Sequence, residues 1–174
     1  MIVTVGGSAA SGKSTLAGAL AERLGFNHVS AGQVMRDMAA EKGMSLVEFS
    51  KYAEEHPEVD REIDMRQKEL AVGDSVVDGR LSRYFLEPDV SIWLTAPVDV
   101  RAERVLGRGE KYESVSAARK DIIERDSSER RRYLEFYDID LDDLSQYDLV
   151  LNTGRFNIEQ MTSLASAAVD SLRN

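Results

Sequence analysis

Short apolar runs along the chain alternate with longer segments in which apolar residues recur at helical spacing. Five runs rich in β-branched or apolar residues are bounded by Gly, Asp, Asn or Pro, as strands are. They cover residues 2–5, 27–30, 75–77, 90–94 and 148–151. Their nearly continuous apolar character favours parallel strands that are buried on both faces.

The segments between these runs show the three- and four-residue spacing of amphipathic helices. The first pattern closes at Gly25, a residue type that commonly follows a helix end. Strands that alternate with helices predict an α/β fold with a parallel sheet between two helical layers. The helical faces are marked by Leu16, Ala17, Leu20, Leu24, Val34, Met38, Ala39, Val98, Ala102, Val105, Leu106, Met161, Leu164, Ala168 and Leu172.

Two segments interrupt this alternation, at about residues 40–72 and about residues 107–146. Both are helical in pattern and dense in charge, and the second carries many arginines. We interpret them as excursions from the core that cover a bound ligand. Ordinary solvated helices are the alternative interpretation of the same pattern.

Composition indicates one domain and excludes several kinds of chemistry. The 174 residues include 43% hydrophobic residues, which is enough for a core. A net charge of −9 argues against nucleic acid as a partner. The absence of cysteine excludes disulfides and thiol catalysis. The two histidines, His28 and His56, lie too far apart in sequence for a histidine metal motif.

The sequence also predicts where the protein works. It has no apolar run of the ~20 residues that a transmembrane helix needs. Its first residues form a strand pattern and lack the basic region and cleavage site of a signal peptide. We therefore expect a cytoplasmic protein with no membrane partner.

The first predicted strand runs directly into a complete phosphate-loop pattern, Gly-x-x-x-x-Gly-Lys-Ser, and an amphipathic helix follows. Backbone N–H groups in such a loop surround the phosphates of a nucleotide. Lys13 would reach the β- and γ-phosphates, and the Ser14 hydroxyl would bind Mg²⁺. We therefore expect ATP and Mg²⁺ as cofactors, held by Gly7, Ser8, Ala9, Ala10, Ser11, Gly12, Lys13, Ser14 and Thr15.

The loop alone leaves several classes of nucleotide-binding protein open. A GTPase would also carry an Asn-Lys-x-Asp motif, which is absent. An oligomeric ATPase would place an acidic pair after a strand, whereas residues 75–80 offer a single Asp followed by Gly-Arg. A Gly- and Ser-rich turn that binds nothing is the remaining alternative.

Side chains at the predicted strand ends suggest a second substrate. Asp78 and Arg80 follow the third run, and ligands of parallel sheets bind beyond the carboxyl ends of the strands. Asp78 could hold a water on Mg²⁺ and Arg80 a phosphate, with a simple turn residue as the alternative for Asp78. Ser30 and Arg36 open the helix after the second run, where Arg36 could bind an acceptor phosphate or be an exposed helix residue.

Arginines are abundant in the later helices, and arginine outnumbers lysine by 16 to 6 in the whole chain. Arg104 and Arg108 are four residues apart and share a helix face. Arg125, Glu129 and Arg132 share one face of the next helix, so the two arginines could clamp phosphate while the glutamate orients a guanidinium. Solvated helix faces are the alternative for these charges.

The acceptor is better explained as a phosphate than as a hydroxyl. Phosphoryl transfer depends mainly on positioning and charge neutralisation. A nucleotide phosphate is largely ionised near pH 7 and needs cations, whereas a sugar or shikimate hydroxyl needs a carboxylate base. Arg36, Arg80, Arg125 and Arg132 could hold two polyanions side by side, and we expect the last three to act in the transfer together with Lys13.

These residues together resemble the short archaeal-type cytidylate kinases, a branch of the nucleoside monophosphate kinases. The resemblance implies an adenylate-kinase-like fold, a three-layer sandwich with a five-stranded parallel sheet in a single domain over residues 1–174. It also implies an acceptor-binding helical insert at about 36–72 and a lid at about 105–132. The similar segments are 7–15, 29–32 with Arg36, 58–64 with Gln67, 79–80, 92–97, 101–104, 128–133, 137–140 and 147–153.

The resemblance further implies transfer of phosphate from ATP to CMP or dCMP, in a protein that we expect to be a monomer. Arg104 and Arg108 resemble lid arginines that contact ATP. Bacterial members carry an Asp where Leu81 stands here, and another Asp where Glu129 stands, so sugar contacts differ. We expect the acceptor to contact Ser30, Arg36, Asp78, Arg80, Glu129 and Arg132.

Two other functions remain open from the sequence. Another small acceptor, such as AMP, UMP or shikimate, would suit the same fold. A nucleotide-dependent binding or assembly factor would use hydrolysis as a timer. The arginine-rich lid argues against such a factor, because a lid excludes water and so prevents idle hydrolysis.

Overall fold

The computed structural model describes residues 1–107 and 112–173. A 3₁₀ helix at Leu144–Gln146 precedes the last strand. The strands are β1 Ile2–Gly7, β2 Asn27–Ser30, β3 Ser75–Asp78, β4 Val90–Thr95 and β5 Leu149–Asn152. The helices are α1 Lys13–Leu24, α2 Ala31–Glu41, α3 Leu46–Glu55, α4 Glu58–Leu70, α5 Ser82–Phe85, α6 Val98–Gly107, α7 Val115–Tyr137 and α8 Ile158–Ser171.

The five strands form one parallel sheet in the order β2-β3-β1-β4-β5. All five predicted runs are confirmed, with small differences at their ends. The last strand begins one residue later than predicted, because the Asp148 carboxylate accepts hydrogen bonds from the backbone and hydroxyl of Ser91 just before the strand. The order places the carboxyl ends of β1 and β3 side by side, where the phosphate loop follows β1.

Helices cover both faces of the sheet because neighbouring residues of a strand point to opposite sides. Ile92 and Leu94 of β4 belong to a core shared with α1 and α8. Trp93, between them, points to the opposite face, where it packs against Tyr147 with a ring-centroid distance of 5.0 Å. Trp93 therefore belongs to the core, with an exposed fraction of 5%.

The segment at about 40–72 forms a small helical unit with a core of its own. Met38 of α2, Phe49 of α3 and Ile63 of α4 are buried together in that unit. The predicted absence of a strand in this segment is confirmed by the succession of α2, α3 and α4. The unit therefore stands beside the sheet rather than within it.

Helix α7 packs on the phosphate loop at its start and on the helical unit at its end. Ile122 shares a buried cluster with Ala9 of the loop. Near the other end, Tyr133 is buried and the Tyr137 hydroxyl donates to the Pro57 carbonyl at 2.5 Å, so both tyrosines fix the helix to the body. None of the helices in the described ranges has the length and apolarity needed to cross a membrane.

Candidate active site

The loop after β1 has the backbone conformation that a phosphate cradle requires. Gly7 and Gly12 have φ values of 147° and 99°, in a region that favours glycine. A side chain at Gly7 would also place its Cβ 2.6 Å from the Leu94 carbonyl oxygen. Helix α1 begins at Lys13 with no side-chain cap, which leaves the first N–H groups of the helix free for an anion. A cavity of about 320 Å³ opens there, lined by Ala10, Gly12, Lys13, Ser14 and Thr15.

Lys13 folds back over the loop and closes it. Its Nζ donates to the carbonyl oxygens of Gly7 and Ser8, at 3.0 Å each. Burial, and next the positive charge of Arg80, lowers the pKa of Lys13 to about 7. A lysine whose pKa is lowered in this way takes up a proton when an anion binds beside it.

We therefore expect nucleotide binding to take up a proton at Lys13. At pH 8 the free lysine is mostly neutral, and a bound polyphosphate raises its pKa, so binding must charge it. Calorimetry of Mg²⁺ and a non-hydrolysable ATP analogue at pH 8, in two buffers of different ionisation enthalpy, measures this uptake. The wild type should take up close to one proton more than Lys13→Met. Equal uptake by the two proteins would contradict the expectation.

Asp78, at the end of β3, connects two neighbouring strands to the phosphate loop. Its Oδ2 accepts from the Ser14 hydroxyl at 2.8 Å and from the Ser30 hydroxyl at 3.3 Å. Its Oδ1 lies 2.7 Å from Nε2 of His28, a contact that the sequence did not suggest. The structure thus brings the predicted residues Ser14, Ser30 and Asp78 together in one group.

Arg80 lies between the phosphate loop and α7, with its side chain 10% exposed. Its guanidinium pairs with the carboxylates of Asp126 and Glu129. Burial lowers its pKa to about 10, which still leaves the group charged at neutral pH. The two carboxylates fix the guanidinium beside the phosphate loop, where its remaining N–H groups can donate to a phosphate.

Asp126 is the functional candidate that sequence reasoning missed. Its Oδ1 accepts from the Ala9 N–H of the phosphate loop at 3.2 Å and from Arg80 at 3.3 Å. Its Oδ2 accepts from Arg101 at 2.6 Å. Burial alone raises the pKa of Asp126, but the hydrogen bond from Arg101 and the charge of Arg80 outweigh it and leave the pKa below its usual value.

A signal for Asp126 is present in the sequence. The apolar face of α7 repeats at residues 118, 122, 126 and 133, so a carboxylate occupies a position where an apolar residue is expected. A charge on the buried face of a helix requires a partner. Its partner Arg101 likewise lies on the buried side of α6 and also donates to the carbonyl oxygens of Ala9 and Ala96.

Asp126→Asn should lower the free energy of unfolding by about 3 kcal/mol at pH 7, because it leaves Arg101 buried without its counter-charge. The loss should shrink as pH falls through the lowered pKa of Asp126, since the carboxylate contributes only while ionised. Urea denaturation at pH 7 and pH 3 measures both effects. Glu124→Gln, an exposed change on the same helix, is the control. Equal stability of Asp126→Asn and wild type at pH 7 would refute this assignment.

The later arginines of α7 point to different neighbours. Arg125 is 62% exposed and its Nε donates to Glu129 Oε1 at 3.0 Å, while its charge still lowers the pKa of Lys13. Arg132 instead reaches across to α4, where its Nε lies 3.1 Å from Asp60 Oδ2. Arg125 and Arg132 are therefore each held by a different carboxylate.

The remaining predicted arginines are placed as follows. Arg36 is exposed on the second turn of α2, and its guanidinium donates to the Gln33 side-chain carbonyl at 2.9 Å. Arg104 donates to the carbonyl oxygen of Thr153 at 2.5 Å and to Ser11 of the phosphate loop at 3.4 Å. Arg108 lies outside the described residues.

The sheet order, the complete phosphate loop and the arginines facing it define a P-loop phosphotransferase. Residues 2–155 match the cytidylate kinase-like family, and the chain belongs to that family. It is 48% identical over 179 residues to a cytidylate kinase of Methanocaldococcus jannaschii, with 99% of each chain covered. It is 49% identical to a cytidylate kinase of Pyrococcus horikoshii, covering 99% of this chain and 90% of that one.

Solved structures of low sequence identity share the fold. An uncharacterized protein from Eubacterium ventriosum has a TM-score of 0.71 at 18% identity, with 98% of this chain and 99% of that chain covered. A shikimate kinase from Bacteroides thetaiotaomicron has a TM-score of 0.64 at 17% identity, with 98% of both chains covered. These similarities confirm the predicted α/β architecture with its five-stranded parallel sheet.

Proposed function

We propose that this chain is a cytidylate kinase, which transfers the γ-phosphate of ATP to CMP or dCMP and releases ADP with CDP or dCDP. Its relatives make it an ATP-dependent phosphotransferase that acts on a small nucleotide. The observation that carries the proposal is the buried guanidinium of Arg80, which faces the phosphate loop and is held by Asp126 and Glu129. An acceptor phosphate bound there would lie next to the γ-phosphate.

The donor side of the reaction uses the phosphate loop. The free N–H groups at the start of α1 would bind the phosphates of ATP, and Lys13 would neutralise the charge that develops on the transferring group. Arg104, beside Ser11 and Thr153, would lie at the nucleoside end of ATP. We propose the same for Arg108, four residues further along the chain.

The residues present fit Mg²⁺ as the metal of the reaction. The Ser14 hydroxyl and the Asp78 carboxylate are hard oxygen donors, which Mg²⁺ prefers. Within the ranges 1–107 and 112–173 no cluster of three or more acidic or histidine side chains forms a metal cage. A cage is not required, because Mg²⁺ in kinases is held by one or two protein oxygens, waters and substrate phosphates. Bound Mg²⁺ would neutralise phosphate charge.

The acceptor side uses arginines that are paired with carboxylates in the structure. Arg80 would bind the phosphate of CMP, and Arg132 would leave Asp60 to join it. Arg36, exposed on α2, would reach the same phosphate from the helical unit. The acceptor phosphate is ionised near pH 7, so the transfer needs no protein base.

We propose that the chain acts as one domain over residues 1–174 in which two segments close over the substrates. The insert at about 36–72 would carry the acceptor, and the lid at about 105–132 would bring Arg125 and Arg132 toward the phosphates. Closure excludes water and so favours transfer over hydrolysis. We expect a monomer to suffice, since one chain supplies all these residues.

A comparison of acceptors tests this proposal. ADP production is measured with MgATP and CMP, dCMP, UMP, AMP, GMP, shikimate or no acceptor. CMP or dCMP should give the largest stimulation. The similarity to shikimate kinases concerns the fold alone, so shikimate should give none. Equal ADP in every sample would replace the proposal with a nucleotide-dependent binding factor.

A further inference from the structure

One face of α4 is polar although it is buried. Asp60, Asp64 and Gln67 recur at helical spacing along this face, with exposed fractions of 7%, 6% and 0%. Buried polar side chains are ordinarily paired, because an unpaired one costs free energy. Each member of this row therefore needs a partner or a function.

Two of the three have partners at opposite ends of the acceptor region. The Gln67 amide donates to the Asp78 carbonyl oxygen at 3.1 Å, at the end of β3. Asp60 pairs with Arg132 of α7. These contacts fix the ends of the row: one at the strand end beside the phosphate loop, the other at an arginine of the proposed acceptor site.

Asp64 lies between them and has no partner among the described residues. Its Oδ2 is buried and accepts no hydrogen bond from the protein. By helix geometry Asp64 is about 4.5 Å along the axis from Gln67 and about 6 Å from Asp60. A nucleotide whose phosphate is bound by Arg80 and Arg132 would extend along this row, within reach of Asp64.

The surroundings of Asp64 also determine its chemical form. Burial, and next the negative charge of Asp60, raises the pKa of Asp64 to about 8. A carboxyl group that is protonated at neutral pH offers one O–H donor and one carbonyl acceptor side by side. This pair complements an amino group next to an unprotonated ring nitrogen.

We infer that Asp64 recognises the base of the acceptor by pairing with such an edge, which cytosine presents through its amino group and N3. The inference rests on the proposed function and assigns a base-binding residue to it. The amino group of cytosine donates to the carbonyl oxygen of Asp64, and the O–H of Asp64 donates to N3. Uracil presents a donor on N3 and a carbonyl acceptor, and the protonated carboxyl can pair with that edge as well once its donor and acceptor oxygens exchange places. The pair therefore binds the edge of either pyrimidine.

Two substitutions of Asp64 test this role. Asp64→Leu removes both hydrogen-bonding groups and keeps the branching of the side chain, whereas Asp64→Asn keeps a donor and an acceptor but cannot give up a proton. KM and kcat are measured for CMP, UMP and ATP, and thermal unfolding is followed in parallel. Glu69→Leu, an exposed change on the same helix, is the matched control.

We expect Asp64→Leu to raise KM for CMP about tenfold or more, and KM for UMP by a similar factor, because both bases lose the same pair of hydrogen bonds. KM for ATP and the unfolding temperature should be close to those of Glu69→Leu, because replacing an unpaired buried polar group does not weaken the fold. Asp64→Asn should lie between Asp64→Leu and the wild type.

Other results would overturn the inference. An unchanged KM for CMP in Asp64→Leu would refute it, and so would an equal rise of KM for ATP or an unfolding temperature well below that of Glu69→Leu. If Asp64→Leu does not fold, Asp64→Ala is measured in its place, and an unchanged KM for CMP in that variant refutes the inference. Failure of the wild type to phosphorylate any pyrimidine monophosphate would instead refute the proposed function, before any variant is compared.

Discussion

Lys13→Ala should lower kcat by about 1000-fold while the protein stays folded. In the structure Lys13 closes the phosphate loop through hydrogen bonds to the carbonyl oxygens of Gly7 and Ser8. Removal of a single preorganised group that stabilises charge in a transition state costs about 100- to 1000-fold. We expect the loss for Lys13→Ala to lie at the upper end of this range, because Lys13 is charged and lies in a partly closed site.

The fold should not suffer from this change. The lowered pKa of Lys13 shows that its charge is costly in the folded protein, so the alanine variant should unfold at the same temperature or a higher one near pH 7. Steady-state kinetics and thermal unfolding are measured together. Lys120→Ala, an exposed change on α7, is the control and should keep full activity. More than a tenth of wild-type activity in Lys13→Ala would contradict the role assigned to Lys13.

Arg132→Ala should reduce kcat/KM for CMP by about 100-fold, whereas Arg131→Ala should change it by less than about twofold. The two residues are adjacent, of the same type and on the same helix, but only Arg132 points into the protein, where it pairs with Asp60. A charge-assisted hydrogen bond pair to phosphate contributes about 3 kcal/mol, which corresponds to about 100-fold.

The kinetic constants of Arg132→Ala distinguish a loss of acceptor binding from a general loss of folded protein. We expect the KM for CMP to rise in Arg132→Ala while the KM for ATP stays near that of wild type. Because Asp60 loses its counter-charge, thermal stability should also fall, and assays are therefore run well below the unfolding temperature of the variant. Equal effects of the two alanine substitutions would refute the assignment of Arg132 to the acceptor site.

The sequence was sufficient for the sheet and the phosphate loop because both are local. The strand runs, the glycines and Lys13 are consecutive or nearly so, and their physical requirements depend on neighbours in the chain. The partners of the arginines could not be predicted from the sequence. Arg132 and Asp60 are 72 residues apart, and only the packing of α7 against α4 brings them together.

Asp126 shows a second limit of sequence reasoning. The arginine-rich run draws sequence reasoning to Arg125, Glu129 and Arg132. The informative carboxylate is Asp126, which lies on the apolar face of the same helix. Its three partners come from the phosphate loop, the loop after β3 and α6. A charge inside an apolar stripe predicts a buried ion pair, but it does not identify the partner.

The most direct test of the whole account is the fate of the γ-phosphate. The protein is incubated with Mg²⁺, CMP and ATP labelled at the γ-phosphorus, and the products are separated by anion exchange. The account predicts that the label appears in CDP, in equal amount with the ADP formed, and that little reaches free phosphate. Label found mainly as free phosphate, at a rate that CMP does not change, would contradict it.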